Sequence, residues 1–203
     1  MEEARREIDA FKNPGKSRIR IGTSNTICHF FLPPVLKQLK EKFPNCSIHI
    51  ESVDTPEVLD EINQNRSDIG ISIAPEGIHS CQYYPLFTDE LRFITPPDHP
   101  WAKRSRIQAE AFSDQNFLLY SKSSYTFRLI KSYLNREGIE IDRFIELGSM
   151  DAIKEMVKIG MGIGILAPWV AQQEIEQGSL LSLPLGRNQL IRHWGLSHLK
   201  GRQ

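Results

Sequence analysis

The strongest constraint on this chain is a repeated order of strand, hydroxyl-rich turn and helix, first met at residues 19–43. Ile19-Arg-Ile-Gly22 reads as a short strand, and Thr23-Ser24-Asn25-Thr26 offers the side chains that cap helix starts. Ile27, Phe31, Val35, Leu39 and Phe43 then recur every four residues, which predicts one helix running to about Lys42. Pro33-Pro34 is expected to distort its early turns, because neither residue has an amide to donate.

The order continues. Residues 47–53 alternate apolar and polar as a strand does, 56–65 carry a helical Val58, Leu59 and Ile62, and 68–74 read as a third strand. Strand–helix–strand–helix–strand at this pace implies parallel pairing through crossover helices. Strands at 83–87 and 91–95 lead out of this lobe. Pro96-Pro97-Asp98-His99-Pro100 marks the crossing into a second one. There the rhythm returns: strand 117–120, turn 121–124, helix 125–136 ending at Gly138, strand 144–147, a Gly148-Ser149 turn, and helix 150–159. A strand through Gly160-Met-Gly162-Ile-Gly164-Ile-Leu166, a helix at 169–177 and closing strands at 180–185 and 193–199 complete the reading. Residues 1–12 read as a short charged helix with Ala4, Ile8 and Phe11 on one side, broken by Asn13-Pro14-Gly15.

Composition narrows the function. Lys plus Arg (25) equals Asp plus Glu (25), so the basic excess that drives nucleic-acid binding is missing. Residues 187–203 hold four basic residues and no acid, which reads as a solvated surface rather than a DNA contact. No apolar stretch approaches a membrane span, and the N-terminus lacks the apolar core of a signal peptide. Cys28, Cys46 and Cys81 are far apart, which fits a reducing cytoplasm and small buried hydrophobes rather than a disulfide or zinc site. His193 and His198 are five apart, which fits neither a helix face nor a strand face. Neither a metal nor a cofactor is expected.

Three capped turns carry the chemistry: 23–26, 121–124 and Gly148-Ser149. Each follows a strand's carboxyl end and opens a helix, the edge where ligands bind in open α/β sheets. Free amides and the helix dipole favour an anion there. Plain helix capping is the competing reading, and Thr55, beside Pro56, joins the set. Gly160-x-Gly162-x-Gly164 is not a nucleotide loop, since the helix precedes it and the strand follows; these glycines are expected to end the helix and bring a strand close to its neighbours. Gly22-Thr23-Ser24-Asn25-Thr26 is half of a hydrolase elbow, without a His or acid tied to it. Glu51, Asp54, Asp68 and Asp89 are scattered, and His29 is a weaker ligand candidate.

In this order and spacing the phrases resemble the effector-binding domain of LysR-type transcriptional regulators. The phrases are Ile19-Arg-Ile-Gly-Thr-Ser24, Leu32-Pro-Pro-Val-Leu36 to Phe43-Pro44, Asp68-Ile-Gly-Ile71 and Glu90-Leu-Arg-Phe-Ile94. His99-Pro-Trp101, Glu146-Leu-Gly-Ser149, and Val157 through Gly160-Met-Gly-Ile-Gly-Ile165 continue the match, so it covers about 18–199. The resemblance implies a type 2 periplasmic-binding-protein-like α/β fold, two α/β lobes joined by two crossing strands, with a small, anionic effector between them. It assigns 1–17 to the end of a linker helix and a connector, 18–95 with 168–203 to lobe I, and 96–167 to lobe II. Carried over by position, the ligand contacts are Thr23, Ser24, Asn25 and Thr55, then Ser124, Tyr125, Thr126 and Ser149. Many members have a Gly-Ser-Gly-Thr-Arg-like run where this chain reads Ser123-Ser124-Tyr125-Thr126-Phe127-Arg128, so a bulky Tyr125 narrows the site or stacks on the ligand. Redox-sensing relatives pair cysteines in the second lobe, and this chain has none there.

The same resemblance implies a homodimer or homotetramer paired through helices 26–42 and 150–159, with Phe30 and Leu32 as candidates for an apolar strip. It also implies an allosteric, cytoplasmic regulator without enzymatic activity, reaching DNA only through a helix-turn-helix domain and leaving RNA polymerase as an open partner. The 17 residues before the first strand are too few for a helix-turn-helix, so this chain is expected to be the sensing half and not to bind DNA itself. The alternatives are a solute-binding receptor of a transport system and a prephenate-dehydratase-like enzyme. The first wants a signal peptide or lipid anchor; the second wants Thr-Arg-Phe, where this chain has Thr126-Phe127-Arg128.

Overall fold

The computed structural model describes residues 18–74, 80–103, 112, 115–139, 141 and 143–201; the helix read at 1–12 lies outside them. The chain divides into two compact units. One runs to Phe87 and resumes at His193, and the other is Thr88–Arg192.

In the first unit, β1 (Arg18–Thr23) pairs in parallel with β2 (Ser47–Ser52) and β3 (Ile69–Ile73), with Ile21 opposite Ile50 and Ile69. β3 runs antiparallel to β9 (Leu190–Leu199), Ile71 opposite Leu196. The single helix expected from the stripe is two: α1 (Asn25–Phe30) and α2 (Leu32–Lys42). Pro33 and Pro34 cannot donate to the preceding turn, so they sit where a new helix starts, just after Phe31. The stripe loses its continuity there: Ile27 is buried, whereas Val35 and Phe43 are 43% and 46% exposed. Leu32 is buried, at 1% exposure, so it belongs to the core and not to the exposed strip expected of it.

Asp68 has a structural task. Its carboxylate accepts from the Arg20 backbone amide at 2.9 Å and from the Arg20 guanidinium at 2.7 Å. That hydrogen bond raises the guanidinium pKa against the opposing effect of burial. α3 (Thr55–Asn63) lies directly on the sheet at Gly70, where an added Cβ would come within 2.4 Å of Val58 Cγ1.

In the second unit, β5 (Phe117–Leu119) lies between β6 (Phe144–Glu146) and β7 (Ile163–Leu166), parallel to both. β4 (Cys81–Thr95) is antiparallel to β7 and to β8 (Leu181–Leu183). The two strands read at 83–87 and 91–95 are therefore one. α4 (Tyr125–Arg136) and α5 (Met150–Lys158) follow β5 and β6, and a short α6 (Gln172–Glu176) follows the 3-10 turn Pro168–Ala171. β4 and β9 carry the chain between the units. The compact units part inside these strands, at Phe87/Thr88 and Arg192/His193, while the sequence division fell at 95/96 and 167/168. Prolines mark where strands end, and a boundary inside a continuous strand leaves no such mark.

The glycine run behaves as a stop and a close approach. Gly160 has φ +75° just past the end of α5, the left-handed position that glycine fills without strain. At Gly162 an added Cβ would lie 2.3 Å from the Asn116 carbonyl oxygen, which accepts from the Ile163 amide at 2.9 Å. Backbone cannot swing aside as a side-chain tip can. Gly162→Ala is expected to cost about 1–3 kcal/mol, read as a lower urea midpoint; an unchanged midpoint would show that the approach relaxes freely.

Candidate functional site

Both units make the same local edge. In the first, the Val53 amide donates to the Thr23 carbonyl at 2.9 Å, so the chain leaving β2 is tied to the end of β1. In the second, the Leu147 amide donates to the Leu119 carbonyl at 2.8 Å, tying the exit of β6 to the end of β5. Parallel pairing puts both carboxyl ends on one edge, and each is followed by a helix start. Thr23, Ser24, Asn25 and Thr55 are thereby gathered in the first unit. Ser124, Tyr125, Thr126 and Ser149 are gathered in the second.

Their hydroxyls are used differently. Ser24, Ser124 and Ser149 are N-cap residues whose oxygens accept from Ile27, Phe127 and Ala152 amides at 3.5, 3.1 and 3.3 Å. Ser124 also donates to the Ser121 carbonyl at 2.8 Å. Thr23 is fully buried and donates to the Ile71 carbonyl at 2.8 Å, so its hydroxyl stitches β1 to β3. Thr55 is 2% exposed behind an Asp54 cap, whose own amide donates to Glu57 at 3.0 Å. The Tyr125 ring lies under the Arg128 guanidinium, 5.4 Å from its centroid. Asn25 and Ser149 are exposed.

Arg192 and Trp169, to which the sequence gives no role, join the scattered carboxylate Asp89 behind Thr126. Arg192 donates from Nε and Nη2 to both oxygens of Asp89, at 2.8 and 2.5 Å, with each side chain only 4% exposed. Its Nη1 donates to Thr126 Oγ1 at 3.1 Å, and Trp169 Nε1 adds a second donor to Asp89 at 2.8 Å. Arg192 thus corrects the reading of 187–203 as uniformly solvated. Its partner is 103 residues away, so no local pattern announces the pair.

The chemistry available is recognition. A threonine oxygen that accepts from a guanidinium keeps its own proton to donate, and a helix start offers amides; both suit an acceptor-rich ligand. The Ser24 and Ser124 hydroxyls bond to backbone, not to a general base. Among the described residues no group of three His, Cys, Asp or Glu side chains is placed to hold a metal ion, and no helix is long and apolar enough to cross a membrane.

Two α/β units threaded by two strands, each with a capped carboxyl edge, define the type 2 periplasmic-binding-protein-like class. The chain belongs to the LysR substrate binding domain family, whose model matches residues 12–203. It is 25% identical over 197 residues to the HTH-type transcriptional regulator CysL of Bacillus subtilis, covering 97% of this chain and 66% of that protein. A probable RuBisCO transcriptional regulator of Cyanidioschyzon merolae is 27% identical over 181 residues, 86% of this chain and 60% of the relative. Among solved structures, the Synechocystis PCC6803 CcmR regulatory domain in complex with 2-PG superposes with a TM-score of 0.80 at 26% identity, covering 92% and 89% of the two chains. The chain spans about three-fifths of the length of the curated relatives it matches.

Proposed function

We propose that this chain is the effector-binding and oligomerisation part of a LysR-type regulator, and that it binds a small anionic metabolite through the capped strand ends of its two units. The observation that carries the reading is the duplicated edge: the same amide-to-carbonyl tie, followed by a hydroxyl-capped helix start, in both units. Thr126, oriented by Arg192, is the donor on which the second half-site turns. Binding shifts a pre-existing equilibrium by no more than the ligand's differential affinity for its two states. In the intact regulator a helix-turn-helix domain reads the DNA, the domains pair as a homodimer or homotetramer, and the protein works in the cytoplasm. Catalysis has no part in this reading, because the Ser24 and Ser124 hydroxyls are engaged with backbone rather than a base. The relatives described above are regulators, which favours this reading over a transport receptor.

A thermal-shift screen tests it. Compact anions (2-PG first, then small carboxylates, sulfur metabolites and sugar phosphates) are offered to the wild type and to a Ser24→Ala, Thr126→Ala variant. A true effector at about 100 times its Kd adds about 2.7 kcal/mol of stability, and the double variant needs far more ligand for the same rise. No shift with any anion, or a variant that responds like wild type, overturns the assignment.

A further inference from the structure

The inner stripe of α4 is tied to the stretch of chain that carries Arg192. Thr126, Ile130, Tyr133 and Glu137 follow one another at spacings of four, three and four, so they share one helix face, with Glu137 capping its end. Ile130 and Tyr133 are 3% and 2% exposed. The other two, with Tyr133, bond to residues 188–192. Thr126 Oγ1 accepts from Arg192 Nη1 at 3.1 Å, the Tyr133 hydroxyl donates to the Asn188 carbonyl at 2.6 Å, and Glu137 Oε1 accepts from Asn188 Nδ2 at 2.7 Å.

The lengths on the two sides agree. Seven helical residues from Thr126 to Tyr133 rise about 10.5 Å, and four extended residues from Asn188 to Arg192 span about 13 Å. The contacts therefore fall in matched, antiparallel order. Leu185 and Leu190 are buried on either side of an exposed loop, Gly186–Gln189. Gly186 leaves room for the phenol: a Cβ added there would lie 2.8 Å from the Tyr133 hydroxyl oxygen. Burial first, then the Glu137 and Glu90 carboxylates, push the Tyr133 pKa above its ordinary value, so the hydroxyl keeps its proton and remains a donor. A slide or a rotation of α4 is what would part Thr126 from Arg192. A short hydrogen bond from a rigid ring two turns further along resists both motions.

We infer that Tyr133 is a positioning residue of the second half-site: it sets the register of α4 against 188–192, so that Thr126 meets Arg192 and turns its own proton to the effector. This rests on the reading of Thr126 as a donor to that effector. Coupling between two positions is reciprocal, so the exposed loop Gly186–Gln189 is a handle on the same donor, and a change at the loop alters effector affinity.

The test follows the Arg192 Nε–H signal by NMR in the whole chain, identified by its loss in Arg192→Lys. Thr126→Val removes the direct bond and defines the direction of the shift. Tyr133→Phe keeps the ring, and Gly186→Ala crowds the hydroxyl from the loop side. Both are expected to move the signal the same way by less, although both lie outside the hydrogen bonds of Arg192 with Asp89 and Thr126. Ile153→Val, in the core of the same unit, is the packing control; it lowers the urea midpoint and is expected to leave the signal in place.

Titration with 2-PG supplies the second readout. Its Kd is expected to rise about fivefold in Tyr133→Phe, the factor worth one ordinary hydrogen bond, and to stay at the wild-type value in Ile153→Val. An unmoved Arg192 signal in Tyr133→Phe, an equal movement in Ile153→Val, or an unchanged Kd overturns the proposal. A wild type that ignores 2-PG and the other anions of the thermal-shift screen removes the half-site reading instead, and the Arg192 signal then decides the register by itself.

Discussion

Asp89→Ala will lower the stability of the second unit by about 3–5 kcal/mol, because it strands a buried guanidinium. Arg192 is 4% exposed on its side chain and directs two donors at Asp89, so water cannot take the carboxylate's place without opening the structure. Trp169 Nε1 loses its acceptor at the same stroke. The loss shrinks when both charges go. An Asp89→Leu, Arg192→Met chain removes the desolvation penalty with the attraction, and is expected to recover most of the loss. Urea midpoints of Asp89→Leu, Arg192→Met, the double variant and wild type close a cycle. A single variant within about 1 kcal/mol of wild type, a small effect for a buried pair, would mean that the ion pair is solvated in solution. A double variant no better than the singles would mean that the pair's geometry, not its burial, holds the strands.

That pair also marks the limit of what the sequence discloses. Period and capping residues act over a turn or two, so the strand–turn–helix order of both units, the end of α2 at Lys42 and the caps at Ser24, Ser124 and Ser149 were all legible. So was the role of the glycine run, since a left-handed residue after a helix is a local demand. The break at Phe31 was half visible: the prolines announced a distortion, but an unbroken apolar stripe spoke for one helix. Burial was less legible than order. Leu32 lies in the core because the second helix begins at it, which turns its side chain away from where the longer helix would have put it.

Side-chain pairing across sheets was not legible at all. Asp89 and Arg192 are each surrounded in sequence by ordinary strand residues, and 187–203 as a whole is basic and mostly polar. Only the adjacency of β4 and β9 in the sheet brings the two together. Thr126 shows the consequence for the site: its place came from a turn pattern, while the donor that orients it came from the far end of the chain.

The Pro96–Pro100 segment reads differently in three dimensions, and Trp101→Ala tests the difference. In sequence the prolines looked like a passage between lobes. In the structure they lead from β4 into the 3-10 turn Pro100–Lys103, which drives Trp101 into the core of the second unit, where it is 2% exposed. Its indole meets Phe93 edge-on at 5.2 Å and Phe112 at 5.1 Å, and Phe112 stacks in turn on Phe117 of β5. The turn itself is pinned, since His99 Nδ1 accepts from the Trp101 amide at 3.2 Å. Truncation to alanine removes the largest member of this cluster and leaves a cavity that rigid rings cannot fill by small shifts. The expected cost is about 3–5 kcal/mol, with a smaller loss for Trp101→Phe, which keeps a ring against Phe93 and Phe112. Circular dichroism in urea gives the midpoints. Native-state hydrogen exchange locates the effect: protection falls in β4, β5 and β7 of the second unit and holds at Ile21 and Ile71 in the first. An alanine variant as stable as wild type would return the segment to the role of a connector, with the indole packing as incidental contact. Equal loss of protection at Ile21 and Ile71 would show that the two units unfold as one cooperative body.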